Sequence, residues 1–239
     1  AIWISRLTVI VGPILALLLR DELRGSLFYI VGAAMSLASA VLVMCVKFPF
    51  RAPEEGVHLV SIDRFFLPRG ATIALVIALI TAALGIMMTT RMTVEFCSSV
   101  MAGFVVAALA LHIPAVKNAR FASAVGNALA IIAILAMFAH DDVFDATLKP
   151  MLFGFGIALS SSEQLYKLLN SCDHCQRSTA ESTYFLSSDG GLFLGIAAGW
   201  QLTTAVKSAE QVALALLVVA TIICSLNVLL KKKQAKHHA

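Results

Sequence analysis

Eight stretches of this chain are apolar over about the 20 residues that a helix needs to cross a hydrocarbon layer roughly 30 Å thick. They run Ala1–Leu19, Ser26–Val46, Ala71–Thr90, Thr93–Ile113, Phe121–Ala139, Pro150–Tyr166, Ser182–Val206 and Gln211–Leu230, some of them tolerating a polar residue. A backbone in hydrocarbon must satisfy its own hydrogen bonds, which leaves only helices and closed barrels. These runs lack the apolar-polar alternation of a barrel strand. The expected fold is therefore an all-α membrane protein with eight transmembrane helices.

Composition agrees with that reading. Of 239 residues, 59% are hydrophobic and 13% charged, with a mean hydropathy of +0.89, whereas about 25% charged residues is usual in a soluble domain. The net charge of +4 comes from Lys and Arg clustered between apolar runs, with no aromatic-interleaved basic surface, so nucleic acid is not an expected partner. Cytoplasmic loops retain Lys and Arg. With Ala1 at the cytoplasmic side, 13 of the 18 basic residues fall inside, and Arg20, Arg24, Arg91, Lys149 and Lys207 fall outside. Both ends of the chain are then cytoplasmic. The acidic turn of Asp141, Asp142 and Asp145 falls outside.

One segment breaks the regular spacing. Residues 47–70 mix Pro49, Pro53 and Pro68 with charges of both signs and separate two helices from six. The organisation read from this is two helices in 1–46, a cytoplasmic loop in 47–70 and a six-helix unit in 71–239. Two plus six is not a natural closed unit, and the chain begins with Ala1 inside an apolar run. A fragment with further helices upstream is expected. Residues 91–92 leave so short a turn between the third and fourth runs that these two are expected to be antiparallel neighbours.

Three local patterns resemble the major facilitator superfamily, whose members have twelve helices in two six-helix halves. "VIVGPILALLL", with Gly12-Pro13, resembles the Gly-Pro motif of the fifth helix of its antiporters, without that motif's further glycines. "SIDRFFLPRGATIAL" resembles the entry to the seventh helix of bacterial efflux-type members. "QRSTAESTYFLSSDGG" is similar to the approach to the eleventh helix, where a basic turn leads to Ser-Thr-Tyr and then Asp-x-Gly-x-x-x-Gly. The chain departs from the family between the eighth and ninth helices, where "HIPAVKNARFAS" keeps only the basic residues of the usual Gly-Asp-Arg-Gly-Arg motif. The resemblance implies that the eight helices match the family's fifth to twelfth. It further implies a bacterial inner membrane location and alternating-access transport of a small organic molecule, with protons as the coupling ion and the upstream helices of the same protein completing the cavity.

Three acids are candidates for proton coupling or substrate contact. Asp189 lies about 12 Å into its helix at 1.5 Å per residue, where an intramembrane acid is costly and normally faces protein or water. Two readings stand: a protonatable or substrate-binding carboxylate, or a structural acceptor held by Ser187, Ser188 or a neighbouring helix. Glu163 has Lys167 four residues later, the spacing of a helical ion pair. Glu95 sits near the outer interface with Arg91 four residues earlier.

Other singled-out residues read as structural. Gly191, Gly195 and Gly199 recur every four residues, aligning on one face where another helix can approach closely. Gly12 and Pro13 mark a helix kink. Asn127 and Asn227 are polar residues in apolar runs, expected to bridge helices. "CDHC", Cys172–Cys175, has the spacing of half a zinc site, but no second pair exists to complete four ligands, so no metal is expected. Phosphate-binding glycine loops, G-x-S-x-G and H-E-x-x-H are all missing from the sequence. The chain is thus not expected to be an enzyme or to carry a cofactor. The alternative to a transporter is a non-transporting membrane scaffold or a truncated, inactive fragment.

Overall fold

The computed structural model describes residues 11–19, 26–45, 65–113, 122–138, 147–173, 176–205 and 209–237. Among these, every regular element is helical. In chain order they are α1 (residues 11–19), α2 (Ser26–Cys45), α3 (Ala71–Thr90), α4 (Val94–Ala110), α5 (Ala122–Phe138), α6 (Leu148–Asn170), α7 (Arg177–Ala205) and α8 (Ala209–His237). Among the described residues three stretches, Ser26–Cys45, Pro68–Thr90 and Ala209–Asn227, are long and apolar enough to cross a membrane. Helices α4 and α5 are apolar but shorter, at 17 residues each. The loop expected over 47–70 lies mostly outside the described residues, as do the residues preceding Pro13 on which a kink would be judged.

Local chemistry sets several helix ends. Pro68 opens a single 3-10 turn, Pro68–Gly70, that leads into α3, and its fixed φ suits a helix start. Thr93, in extended conformation, caps α4 by accepting a hydrogen bond from the Phe96 N–H at 3.2 Å, satisfying one of the orphan donors of a first turn. Between them, Arg91 closes α3 through its N–H to the Met87 carbonyl, and the Thr93 N–H returns to the Arg91 carbonyl at 2.8 Å.

That tight turn does not make α3 and α4 packed neighbours. Helix α3 packs chiefly on α7 and α8, whereas α4 packs on α6. The reason is where the small residues lie. On α3, Gly85 would meet the Leu192 carbonyl of α7 at 2.5 Å if it carried a Cβ, and Gly103 of α4 would likewise meet the Met151 carbonyl of α6 at 2.1 Å. Backbone approach this close needs glycine on the contact face, so each helix takes the partner its glycines fit.

The principal contacts of α3–α8 have an internal twofold pattern. Exchanging α3 with α6, α4 with α7 and α5 with α8 converts the α3/α7 contact into α6/α4 and α3/α8 into α6/α5, and leaves α5/α8 and α3/α6 unchanged. The two three-helix sets run in opposite directions. Gly70 at the start of α3 lies against Leu168 near the end of α6, and Arg91 at the end of α3 reaches Glu210 in the first turn of α8. Within the pattern, α7 runs parallel to α3, because Gly191 meets Ala78, Gly195 meets Ala82 and Gly199 meets Ile86.

A large apolar core fills this six-helix unit, with Ile80, Met87, Val100, Ile134, Phe153, Ile157 and Leu217 among its buried members. A smaller cluster of Leu67, Ile77, Leu165, Leu168, Ala180 and Tyr184 closes the end where α3 and α7 begin. Helix α1 touches the main core through Ile14 and Leu17. Helix α2 has no buried residue; most of its 20 residues are apolar and exposed.

Candidate functional site

Asp189 occupies the face of α7 opposite its glycines. At 100° per residue, Gly191, Gly195 and Gly199 lie on one side, against α3, and Asp189 falls with Leu186, Phe193 and Trp200 on the other, all four exposed. Because Gly191 is level with Ala78, Asp189 is level with the second turn of α3. That is about 8 Å from the start of α3 at 1.5 Å per residue.

Among the described residues, no donor or cation reaches the Asp189 carboxylate. Ser187, one of its expected holders, turns its hydroxyl back to the Thr183 carbonyl at 2.7 Å. The structural-acceptor reading therefore finds no acceptor contact in the described chain. A lone carboxylate on an otherwise apolar stripe can do two things chemically. It can take up a proton, or it can attract a cation from an adjoining watery space.

Glu163 is differently placed. Its carboxylate pairs with Lys167 at 2.6 Å, as the four-residue spacing suggests, and its other oxygen accepts the backbone N–H of Ser123. Ser123 is the second residue of α5, so Glu163 acts from α6 as a cap on another helix, its charge complementing the positive helix start. Around this cap lies a buried polar cluster. Gln164 donates to the Ser123 hydroxyl at 2.6 Å and approaches the Cys224 sulfur of α8 at 3.3 Å, and the Ser123 and Ser160 hydroxyls are 3.3 Å apart.

Sequence reasoning passed over Ser123, Ser160 and Gln164. The available signal was the polar stripe Ser160, Gln164, Lys167 at helical spacing along an otherwise apolar run. Asn127, expected to bridge helices, is fully buried, and neither amide atom has a hydrogen-bond partner among the described residues.

Glu95 is exposed in the first turn of α4, where its charge suits the helix dipole. Arg91 does not turn to it. The guanidinium instead bonds Glu210 at 2.7 Å and the Met137 carbonyl at 3.2 Å, tying the ends of α3 and α5 to the start of α8. Under the twofold exchange this clasp corresponds to the Glu163–Ser123 contact, which ties α6 to the start of α5 at the opposite end. The three candidate acids are thus not brought together into one site.

Two motifs distant in sequence do meet. Thr183, from "STYFLSSDGG", accepts the Leu67 N–H at 2.8 Å and donates to the Thr179 carbonyl at 2.7 Å. It thereby fixes the "FFLPRG" entry of α3 to the first turns of α7, with Tyr184 buried beside it. In "CDHC", the Cys172 thiol bonds the Leu169 carbonyl, and His174 and Cys175 lie outside the described residues. Among the described residues, no group of three or more His, Cys, Asp or Glu could hold a metal ion.

No protein-family model matches the chain, and no curated protein is significantly similar to it.

Proposed function

We propose that the chain belongs to a secondary active transporter of the major facilitator type, exporting a small organic molecule in exchange for protons. The observation that carries this reading is Asp189, an exposed carboxylate that meets no donor among the described residues, deep on the outward face of α7. A membrane protein keeps such a group where it faces a watery cavity or binds something. Protonation removes its charge, so the two protonation states favour different surroundings and can bias two conformations of the protein.

The helix pairing supports the same reading. Opposed three-helix repeats nested in a six-helix half are the construction on which alternating access by rocking of halves is based, and α3–α8 pair in that pattern. In this arrangement α3–α8 form one half. Helices α1 and α2 belong to the other half, in keeping with an α2 that has no buried residue, and upstream helices of the same protein complete it. On this reading eight helices cross a bacterial inner membrane, as the family resemblance implies, with both ends of the chain cytoplasmic, which the distribution of Lys and Arg favours.

The test is transport by the full-length protein in lipid vesicles with an imposed pH gradient, comparing the parent with Asp189→Asn and Asp189→Glu. Asp189→Asn is expected to abolish gradient-driven transport while leaving solute exchange at equilibrium, and Asp189→Glu to retain part of the coupling. Unimpaired coupling in Asp189→Asn at equal protein density overturns the assignment.

A further inference from the structure

We infer that Asn127 marks an internal water-binding site between α5, α6 and α8. Its side chain is 0% exposed, and among the described residues neither Oδ1 nor Nδ2 has a hydrogen-bond partner. Buried polar groups in folded proteins are almost always satisfied by protein or by ordered water. The surroundings are polar enough for the second. Ser123 is four residues earlier and so stands on the same face of α5, with side chains stacked about 5–6 Å apart. Its hydroxyl is 3.3 Å from that of Ser160 and takes the amide N–H of Gln164. Gly126, the residue before Asn127, brings the α5 backbone against Gly156 and Ser160, which sets Ser160 about one helical turn from Asn127, beside Ser123.

The unmet groups specify the ligand. Nδ2 needs an acceptor and Oδ1 needs a donor, and one water molecule is both. A monovalent cation would satisfy Oδ1 while facing two amide hydrogens, and an anion would do the reverse. Among the described residues, the charged pair nearest in sequence on α6, Glu163 and Lys167, neutralises itself at 2.6 Å and offers no net charge to hold either ion. A water here, bridging Asn127 to the Ser123 and Ser160 hydroxyls, makes an ordinary buried site with about three hydrogen bonds. It extends the polar chain that starts at Glu163 one helical turn further into the bundle, roughly 6 Å along α5. The site stands independently of the transport reading.

The direct test is a high-resolution experimental structure of the parent protein. An ordered water within hydrogen-bond distance of both Oδ1 and Nδ2 of Asn127 is expected, and a dry, unpartnered amide overturns the site. Thermal unfolding of Asn127→Leu in micelles gives a second readout. With a water present, the substitution evicts it and strips the Ser123 and Ser160 hydroxyls of its bonds, so the midpoint falls; a raised midpoint means that the amide was simply orphaned, and overturns the inference. Replacing choline chloride by sodium or potassium chloride at constant ionic strength is expected to leave the parent's midpoint unchanged. A saturable rise with either metal ion assigns the site to a cation instead.

Discussion

Replacing Gly195 by alanine adds one methyl group to α7 at the point where it lies on α3. An ideal Cβ there would be 2.2 Å from the Ala82 carbonyl oxygen and 2.7 Å from the Ala82 Cα. Normal carbon contacts begin at about 3.5 Å, so the helices must separate locally by about 1 Å. A gap of 0.5–1 Å forfeits about a quarter to a half of the dispersion attraction between facing atoms, and the loss extends to Gly191 and Gly199, which lie equally close to α3. Overpacking of this kind costs about 1–3 kcal/mol. Gly190 is an internal control, since nothing lies within 4 Å of an added Cβ there. Gly190→Ala keeps only the helix-propensity gain, about 0.8–1 kcal/mol. Gly195→Ala carries the same propensity gain, so its net cost is about 0–2 kcal/mol; because 1 kcal/mol corresponds to about 2–4 °C in a protein of this size, it is expected to lower the unfolding midpoint by up to about 8 °C, and Gly190→Ala to raise it by about 2–4 °C. Helical circular dichroism during heating in micelles reads both. Equal effects from the two neighbouring substitutions would refute the close α3–α7 packing.

Three further outcomes follow from individual contacts. Thr183→Val is nearly isosteric but removes the acceptor of the buried Leu67 N–H, so it is expected to destabilise the protein by about 1–3 kcal/mol and to speed hydrogen exchange at Leu67; unchanged exchange contradicts the contact. Arg91→Ala breaks a pair whose side chains are 28% and 21% exposed, and the loss, about 1 kcal/mol after solvent screening, is expected to be partly recovered in the Arg91→Glu, Glu210→Arg double variant. Glu163→Gln keeps an acceptor for the Ser123 N–H but gives up the charge facing Lys167 and the start of α5; a loss of about 0.5–1 kcal/mol, shrinking with added salt, is expected from unfolding at two ionic strengths.

The helices were legible in the sequence because a lipid-compatible run announces itself by apolarity alone. Their ends were less so. Helix α6 extends from Leu148 to Asn170, beyond the apolar reading of Pro150–Tyr166, because Glu163, Gln164 and Lys167 interrupt apolarity without interrupting the backbone ladder. The glycine face of α7 was legible from its four-residue period, yet its partner was not: α3 was expected beside α4, the next helix in the chain. Pairing between helices some hundred residues apart is decided by matching small surfaces on two faces, and a single face does not name its mate. The same limit hid the Arg91–Glu210 clasp, whose nearer acid in sequence is Glu95, and the Ser123–Glu163 cap. Asp189 was legible as an anomaly of composition, but that no donor among the described residues reaches it is a property of the folded surface.

The proposal of alternating access is tested most directly at position 189, without knowledge of the substrate. In full-length protein with its native cysteines replaced by alanine, Asp189→Cys would be treated in oriented vesicles with a membrane-impermeant maleimide, applied to either face. Labelling from both faces is expected, each suppressed when the opposite access is trapped. Failure to label from either face, with the cysteine still reactive after denaturation, would mean that the outward face of α7 meets lipid or sealed protein, and would contradict a transport role for Asp189.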